Sequence, residues 1–173
     1  MNLLHCLDAQ IRADCRVLVL GSMPGSASLD AQRYYAHPRN RFWPLIGQLC
    51  GLDPMLAYSE RLQAAQRCGL GLWDVLAQCR RQGSLDASIV RGSEQVNTLD
   101  ALLPQLPHLA VIACNGGTAS RLYQRHLQQR VAAVRPQLQV LTLPSTSPAN
   151  AGCSLPQLWL HWQVLQPWLA AVG

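Results

Sequence analysis

The stretch Arg16-Val17-Leu18-Val19-Leu20-Gly21-Ser22-Met23-Pro24-Gly25 decides how this chain folds. Four consecutive apolar residues, valine alternating with leucine, suit a strand buried on both faces. The glycines and proline that follow stop it at a turn. Runs at 71–75, 109–114 and 140–143 have the same character. Stretches with helical spacing separate them, at 42–50, 56–67, 75–81, 94–103, 118–129 and 155–169. Strands that alternate with helices imply a four-stranded parallel sheet covered on both faces. In such sheets ligands gather at the carboxyl ends of the strands. Each unusual cluster of this chain follows a strand: Gly21–Gly25, Asp74, Asn115-Gly116-Gly117 and the segment Pro144–Asn150. Four such coincidences on one sheet edge argue for one site.

The chain has 173 residues, the size of one domain, and no linker or repeat divides 1–173. Charged residues make up 13% and hydrophobic residues 49%, which excludes a disordered tail or a coiled coil. The formal charge of +5 favours a polyanionic partner. All 14 basic residues are arginine. Without lysine, no side-chain amine can form a Schiff base, and only the terminal amine of Met1 could. Seven cysteines, at 6, 15, 50, 68, 79, 114 and 153, form no C-x-x-C pair. Their spacing and the lack of a signal segment or membrane span predict reduced thiols in a cytoplasmic protein, with no metal and no cofactor.

The segment Tyr34-Tyr35-Ala36-His37-Pro38-Arg39-Asn40-Arg41-Phe42-Trp43 is chemically the richest. Asn40 can donate and accept together, so it can hold a water or read a base edge. It equally suits the cap of the helix that begins near Phe42. Phe42, the only phenylalanine, offers a face on which a flipped base can stack. Arg39 and Arg41 can pair with phosphates. Trp43 belongs to the core. The turn Ser22-Met23-Pro24-Gly25 lets the main chain approach a ligand closely and can form an anion nest. Asn115 stands where a strand gives way to a helix and is placed to point into the crevice. Ser145-Thr146-Ser147-Pro148-Ala149-Asn150 is a stiff hydroxyl-rich loop able to follow a phosphate backbone or wedge into a groove. Asp74 and Asp86 are possible bases, but helix caps with Arg80 or Arg81 as ion partners describe them better.

Taken together, the order strand, Gly-Ser-Met-Pro-Gly, Tyr-Tyr-Ala-His-Pro-Arg-Asn-Arg-Phe-Trp and Leu-Pro-Ser-Thr-Ser-Pro-Ala-Asn resembles the uracil-DNA glycosylase superfamily. It is most similar to the hypoxanthine (deoxyinosine) branch, near the mismatch-specific uracil/thymine enzymes. Gly71-Leu72-Trp73-Asp74-Val75-Leu76 and Gly83-Ser84-Leu85-Asp86 fit the same branch. The likeness spans about Arg16 to Asn150. It implies a three-layer αβα sandwich on a four-stranded parallel sheet. It also implies hydrolysis of the N-glycosidic bond of a deaminated base in DNA, chiefly hypoxanthine, leaving an abasic site. Asn40 becomes the catalytic residue. Ser22, Met23, Pro24, Gly25, Phe42 and Asn115 would bind the base. Arg39, Arg41, Ser145, Thr146, Ser147, Pro148 and Asn150 would bind DNA, with 145–150 as the intercalating segment.

Two positions depart from uracil-excising relatives. Met23 stands where they carry the Asp or Asn that positions water, and Leu143 stands where classical members carry a histidine. A thioether orients water poorly, so uracil is not the expected substrate. The expected partner is double-stranded DNA bearing a deaminated base, with single strands as a second form, and the protein acts as a monomer. Competing readings are a uracil/thymine mismatch glycosylase, a non-catalytic binder of damaged DNA and, last, a nucleotide-binding α/β protein.

Overall fold

The computed structural model describes residues 2–170. In chain order the elements are β1 (Leu3–His5), β2 (Val17–Gly21), α1 (Ser26–Ala31), α2 (Phe42–Cys50), α3 (Tyr58–Cys68), β3 (Leu70–Asp74) and β4 (Leu76–Arg80). There follow β5 (Gln95–Val96), α4 (Leu99–Leu102), β6 (Val111–Asn115), α5 (Gly117–His126), α6 (Gln128–Val134), β7 (Gln139–Leu143) and α7 (Leu155–Trp162). The four expected strands form one parallel sheet in the order β3-β2-β6-β7.

Strand side chains alternate between faces, and the alternation of β2 divides the core in two. Val17 and Val19 pack with Leu70, Leu72, Val111 and Ala113 under α2, α3 and α7. Leu18 and Leu20 pack with Ile112 and Cys114 under α4, α5 and α6. Three layers result, as the resemblance implied. Trp162 of α7 is fully buried, meets Phe42 edge-on and donates from Nε1 to the Pro144 carbonyl at 2.9 Å.

The structure corrects several expectations. Residues 75–81 are not helical: β4 pairs antiparallel with β1 and β5 in a second, three-stranded sheet. Val75, Leu76 and Cys79 imitate helical spacing, and a register shift between Leu76 and Gln78 removes the strict alternation of a strand. Stretch 94–103 splits into β5 and α4, 118–129 breaks at Leu127, and 155–169 is α-helical only to Trp162. Cys50 and Cys68 are not free thiols. They end α2 and α3, whose packing brings their Cα atoms to 5.9 Å, and they form a disulfide. Among the described residues no helix is long and apolar enough to cross a membrane. Met1, which carries the terminal amine, lies outside the described residues.

Trp162→Ala removes a fully buried ring and the hydrogen bond to the loop after β7. It should cost about 3–5 kcal/mol of folding stability, read from urea denaturation.

Candidate active site

Parallel pairing aligns the carboxyl ends of the strands, with Gly21 opposite Asp74 and Asn115 opposite Leu143. The segments that leave them enclose a cavity of about 680 Å³. Its walls come from 21–25, Tyr35, His37 and Asn40, Asp74, 84–87, 115–118 and 144–150. All four clusters singled out in the sequence meet there, and residues 40 and 115 share one hollow.

Gly21 is required by geometry. A Cβ there would lie 2.6 Å from Asp74 Oδ1 and 3.9 Å from Tyr35 Oη. The carboxyl and the phenol therefore both close over the same glycine. Ser22 is buried and donates from Oγ to Asp86 Oδ2 at 2.7 Å. The carbonyls of Met23 and Pro24 accept from Arg81 at 3.4 and 2.5 Å, which fixes the turn. Met23 is buried and lines the cavity. Gly25 has an ordinary extended backbone, and a Cβ there would meet only Ser84, at 3.6 Å.

Asn40 lines the cavity and caps α2 as well. Its Oδ1 accepts the Phe42 N–H at 2.9 Å, while Nδ2 donates to no described residue. Asn115 grips the loop after β7: Oδ1 accepts the Thr146 N–H and Nδ2 donates to Thr146 Oγ1, both at 3.0 Å. The Asn115 side chain also reaches the Tyr35 hydroxyl, so it links the loop after β7 to the aromatic wall. Gly116 continues from it at φ +99°, and a Cβ there would lie 3.0 Å from Ser145 Cβ.

Two residues, Phe42 and Arg41, stand elsewhere than expected. Phe42 has no exposed area and does not reach the cavity. It stacks on Tyr35, ring centroids 3.8 Å apart and planes at 20°. Tyr35, in a left-handed conformation at φ 56°, presents its ring to the cavity with Phe42 supporting it. Arg41 is no free phosphate ligand. Its Nη2 donates to the Ser147 and Asn150 carbonyls at 2.8 and 2.9 Å, and its main-chain N–H donates to the Thr146 carbonyl. Arg39 is exposed and outside the cavity wall, its main-chain N–H donating to His37 Nδ1. Within the loop, Ser145 Oγ accepts the Ser147 N–H and Asn150 Nδ2 donates to the Ser145 carbonyl. Ser145, Thr146, Ser147, Pro148 and Asn150 all line the cavity.

Asp74 is the residue that sequence reasoning undervalued. No helix follows it, so it caps nothing. Its side chain is buried at the cavity wall, and Oδ2 has no partner among the described residues. Burial first, and the neighbouring Asp86 second, push its pKa up to about 8 against a smaller opposing pull from Arg81. Asp86 is also raised, again by burial, although its hydrogen bond from Ser22 and the charge of Arg81 oppose the shift.

The comparisons with known proteins agree with this geometry. The Uracil DNA glycosylase superfamily model matches residues 9–168. A Methanosarcina acetivorans protein named hypoxanthine DNA glycosylase is 34% identical over 143 residues, covering 82% of this chain and 85% of its own. A protein of the same name from Methanosarcina barkeri is 37% identical over 107 residues, covering 61% of this chain and 66% of its own. The solution NMR structure of a candidate uracil DNA glycosylase from Methanosarcina acetivorans superposes with a TM-score of 0.77 at 28% identity, covering 95% of this chain and 99% of that one. The fold is that of a base-excising DNA repair scaffold. The chain belongs to the uracil DNA glycosylase superfamily.

The two glycines of the first turn separate the requirements of the wall. Gly21→Ala drives a methyl into the Asp74 carboxyl and should cost about 1–3 kcal/mol. Gly25→Ala should change stability by less than about 0.5 kcal/mol, with both read from urea midpoints.

Proposed function

We propose that this protein is a monofunctional DNA glycosylase that hydrolyses the N-glycosidic bond of deoxyinosine, releasing hypoxanthine and leaving an abasic site. It acts as a monomer on cytoplasmic double-stranded DNA. The observation that carries the proposal is the meeting, in one cavity, of an aromatic face, a donor amide and the rigid loop 144–150. The relatives named hypoxanthine DNA glycosylase support the choice of base.

A nucleotide flipped from the stack enters the cavity. Tyr35 takes the stacking role first expected of Phe42, and Phe42 holds the ring flat from behind. The main chain of Ser22–Gly25 and the Asn115 amide contact the base edge. Hypoxanthine carries a carbonyl where adenine carries an amino group, so a donor aimed at that oxygen separates the two. As the bond to deoxyribose stretches, the sugar gains positive charge and the base negative charge. Asn40 has Oδ1 engaged by Phe42, so the group it offers is its NH2, a donor. That suits stabilisation of the departing base, with the amide fixed before reaction begins. Water attacks the sugar carbon and completes hydrolysis. The loop 144–150 lies against the gap in the duplex, and Arg39 at the rim faces phosphate.

Met23 brings a thioether to the wall where a water-holding amide would favour uracil. The chain has no lysine, so strand cleavage through a side-chain Schiff base has no nucleophile.

Free-base release from duplexes containing deoxyinosine, xanthine, uracil or mismatched thymine tests the assignment. Hypoxanthine should be released fastest, with strands breaking only after alkali. Release of uracil or thymine alone overturns the choice of base, and DNA binding with no base released overturns the activity. Asn40→Ser keeps an oxygen for the Phe42 N–H and loses the amide. It should lower the single-turnover rate about 100-fold or more with DNA affinity unchanged.

A further inference from the structure

We propose that Asp74 is the general acid of this reaction, donating the proton on Oδ2 to a basic ring nitrogen of the flipped purine, N7 or N3, as the glycosidic bond breaks. The inference rests on the activity proposed above and adds the group that makes the base leave as a neutral molecule.

The placement of Asp74 carries it. The residue ends β3, and its main-chain carbonyl accepts from Asn97 Nδ2 at 2.8 Å, so the backbone beneath it is fixed. The side chain is 4% exposed on the residue scale, lines the cavity, and leaves Oδ2 unpaired. Oδ1 sits over Gly21, where no side chain could be admitted. A structural aspartate at such a depth binds a partner; this one has none among the described residues.

Charge balance sets its protonation. The titratable and charged groups facing it are Asp86, Arg81, Tyr34, Tyr35 and Cys6. Both carboxyls face the Arg81 guanidinium, and Arg121 acts on Asp86 alone. The Arg81 guanidinium lies 4.0 Å from Asp86 and donates to the carbonyls of Gly83, Met23 and Pro24. Asp86 holds the cation and the Ser22 hydroxyl. Asp74 is left as the uncompensated member, and burial keeps its proton in place near neutral pH.

In the step itself, the C1′–N9 bond breaks and its electron pair goes to the base. The proton moves from Asp74 Oδ2 to N7 or N3, so hypoxanthine leaves uncharged. Water forms the new C1′–O bond and its surplus proton passes to solvent, from which Asp74 is reprotonated. Below its pKa of about 8 the acid is loaded; above it the rate should fall tenfold per pH unit.

Single-turnover hypoxanthine release between pH 5.5 and 9.5 tests this in the full chain. Asp74→Asn should be at least 100-fold slower at pH 7 and lose the alkaline fall. A rate within threefold of the parent, or an unchanged profile, overturns the role. N1–H of the substrate itself titrates in the alkaline range, so Asp86→Asn supplies a second arm, decisive also if Asp74→Asn does not fold. Removing the neighbouring charge should move the fall to lower pH, which a substrate titration would not do. A stationary fall, or its disappearance in Asp86→Asn, overturns the assignment to Asp74. If the parent protein releases no hypoxanthine at any pH, the proposed activity fails; if it releases hypoxanthine without these shifts, only the acid fails. Deoxyinosine analogues with carbon in place of N7 or of N3 identify the nitrogen that takes the proton. Full release from both overturns protonation.

Discussion

Gly21 and Asp74 face each other in the last pair of β2 and β3, and the space between them admits a carboxyl oxygen and nothing larger. The site depends on that constraint. A Cβ at position 21 would displace the Asp74 carboxyl, with the Tyr35 hydroxyl in contact beside it. The parallel register then carries the constraint across the sheet. With Leu20 opposite Cys114, and Asn115 opposite Leu143, the turn after β2 and the loops after β6 and β7 start at one level. The cavity is a consequence of pairing before any side chain contributes chemistry.

The polar residues around it divide into those that hold and those that remain available. Arg81, Arg41 and Asn115 look like ligand-binding groups, yet Arg81 and Arg41 donate to main-chain carbonyls and Asn115 grips the main chain and hydroxyl of Thr146. Arg81 fixes the first turn, and Arg41 with Asn115 fixes the loop after β7. Among the groups that stay available toward the cavity are the Asn40 NH2, the Tyr35 ring and the Asp74 carboxyl. Preorganised donors are effective in catalysis because no reorganisation is needed when charge develops. The supporting bonds supply that fixity.

The sheet was legible because its strands are buried on both faces, and continuous apolar runs leave few alternatives. The second sheet was not. β1 and β5 have three and two residues, too few to carry a period, and β4 imitates a helix. One error produced the next: with 75–81 read as a helix, Asp74 became its cap, and the carboxyl with the least structural purpose was set aside. Asn40 and Asn115 stand out in the sequence as amides beside a helix start and a strand end, and both line the cavity while also holding local structure. Phe42 stands out as the only phenylalanine, whereas the left-handed backbone at Tyr35 leaves no mark in the sequence. Arg41 illustrates a similar limit. Its partners lie 106 and 109 residues away, and no local pattern announces a guanidinium bound to carbonyls.

Rigidity of the 144–150 loop bears directly on base flipping. Extruding a nucleotide costs stacking and pairing energy, which contacts within the complex must offset. A loop that became ordered only on DNA would add its own conformational entropy to that cost. Here bonds from the rest of the chain hold the loop. Trp162 holds the Pro144 carbonyl, Asn115 holds both polar groups of Thr146 that face it, and Arg41 holds Ser147 and Asn150. The two prolines narrow what is left. Arg41 is thus an internal brace rather than a free cation, and among the described residues no other side chain bonds those two carbonyls. On the proposed reading, Arg39 and the other exposed arginines are left to supply the sequence-independent attraction to phosphate.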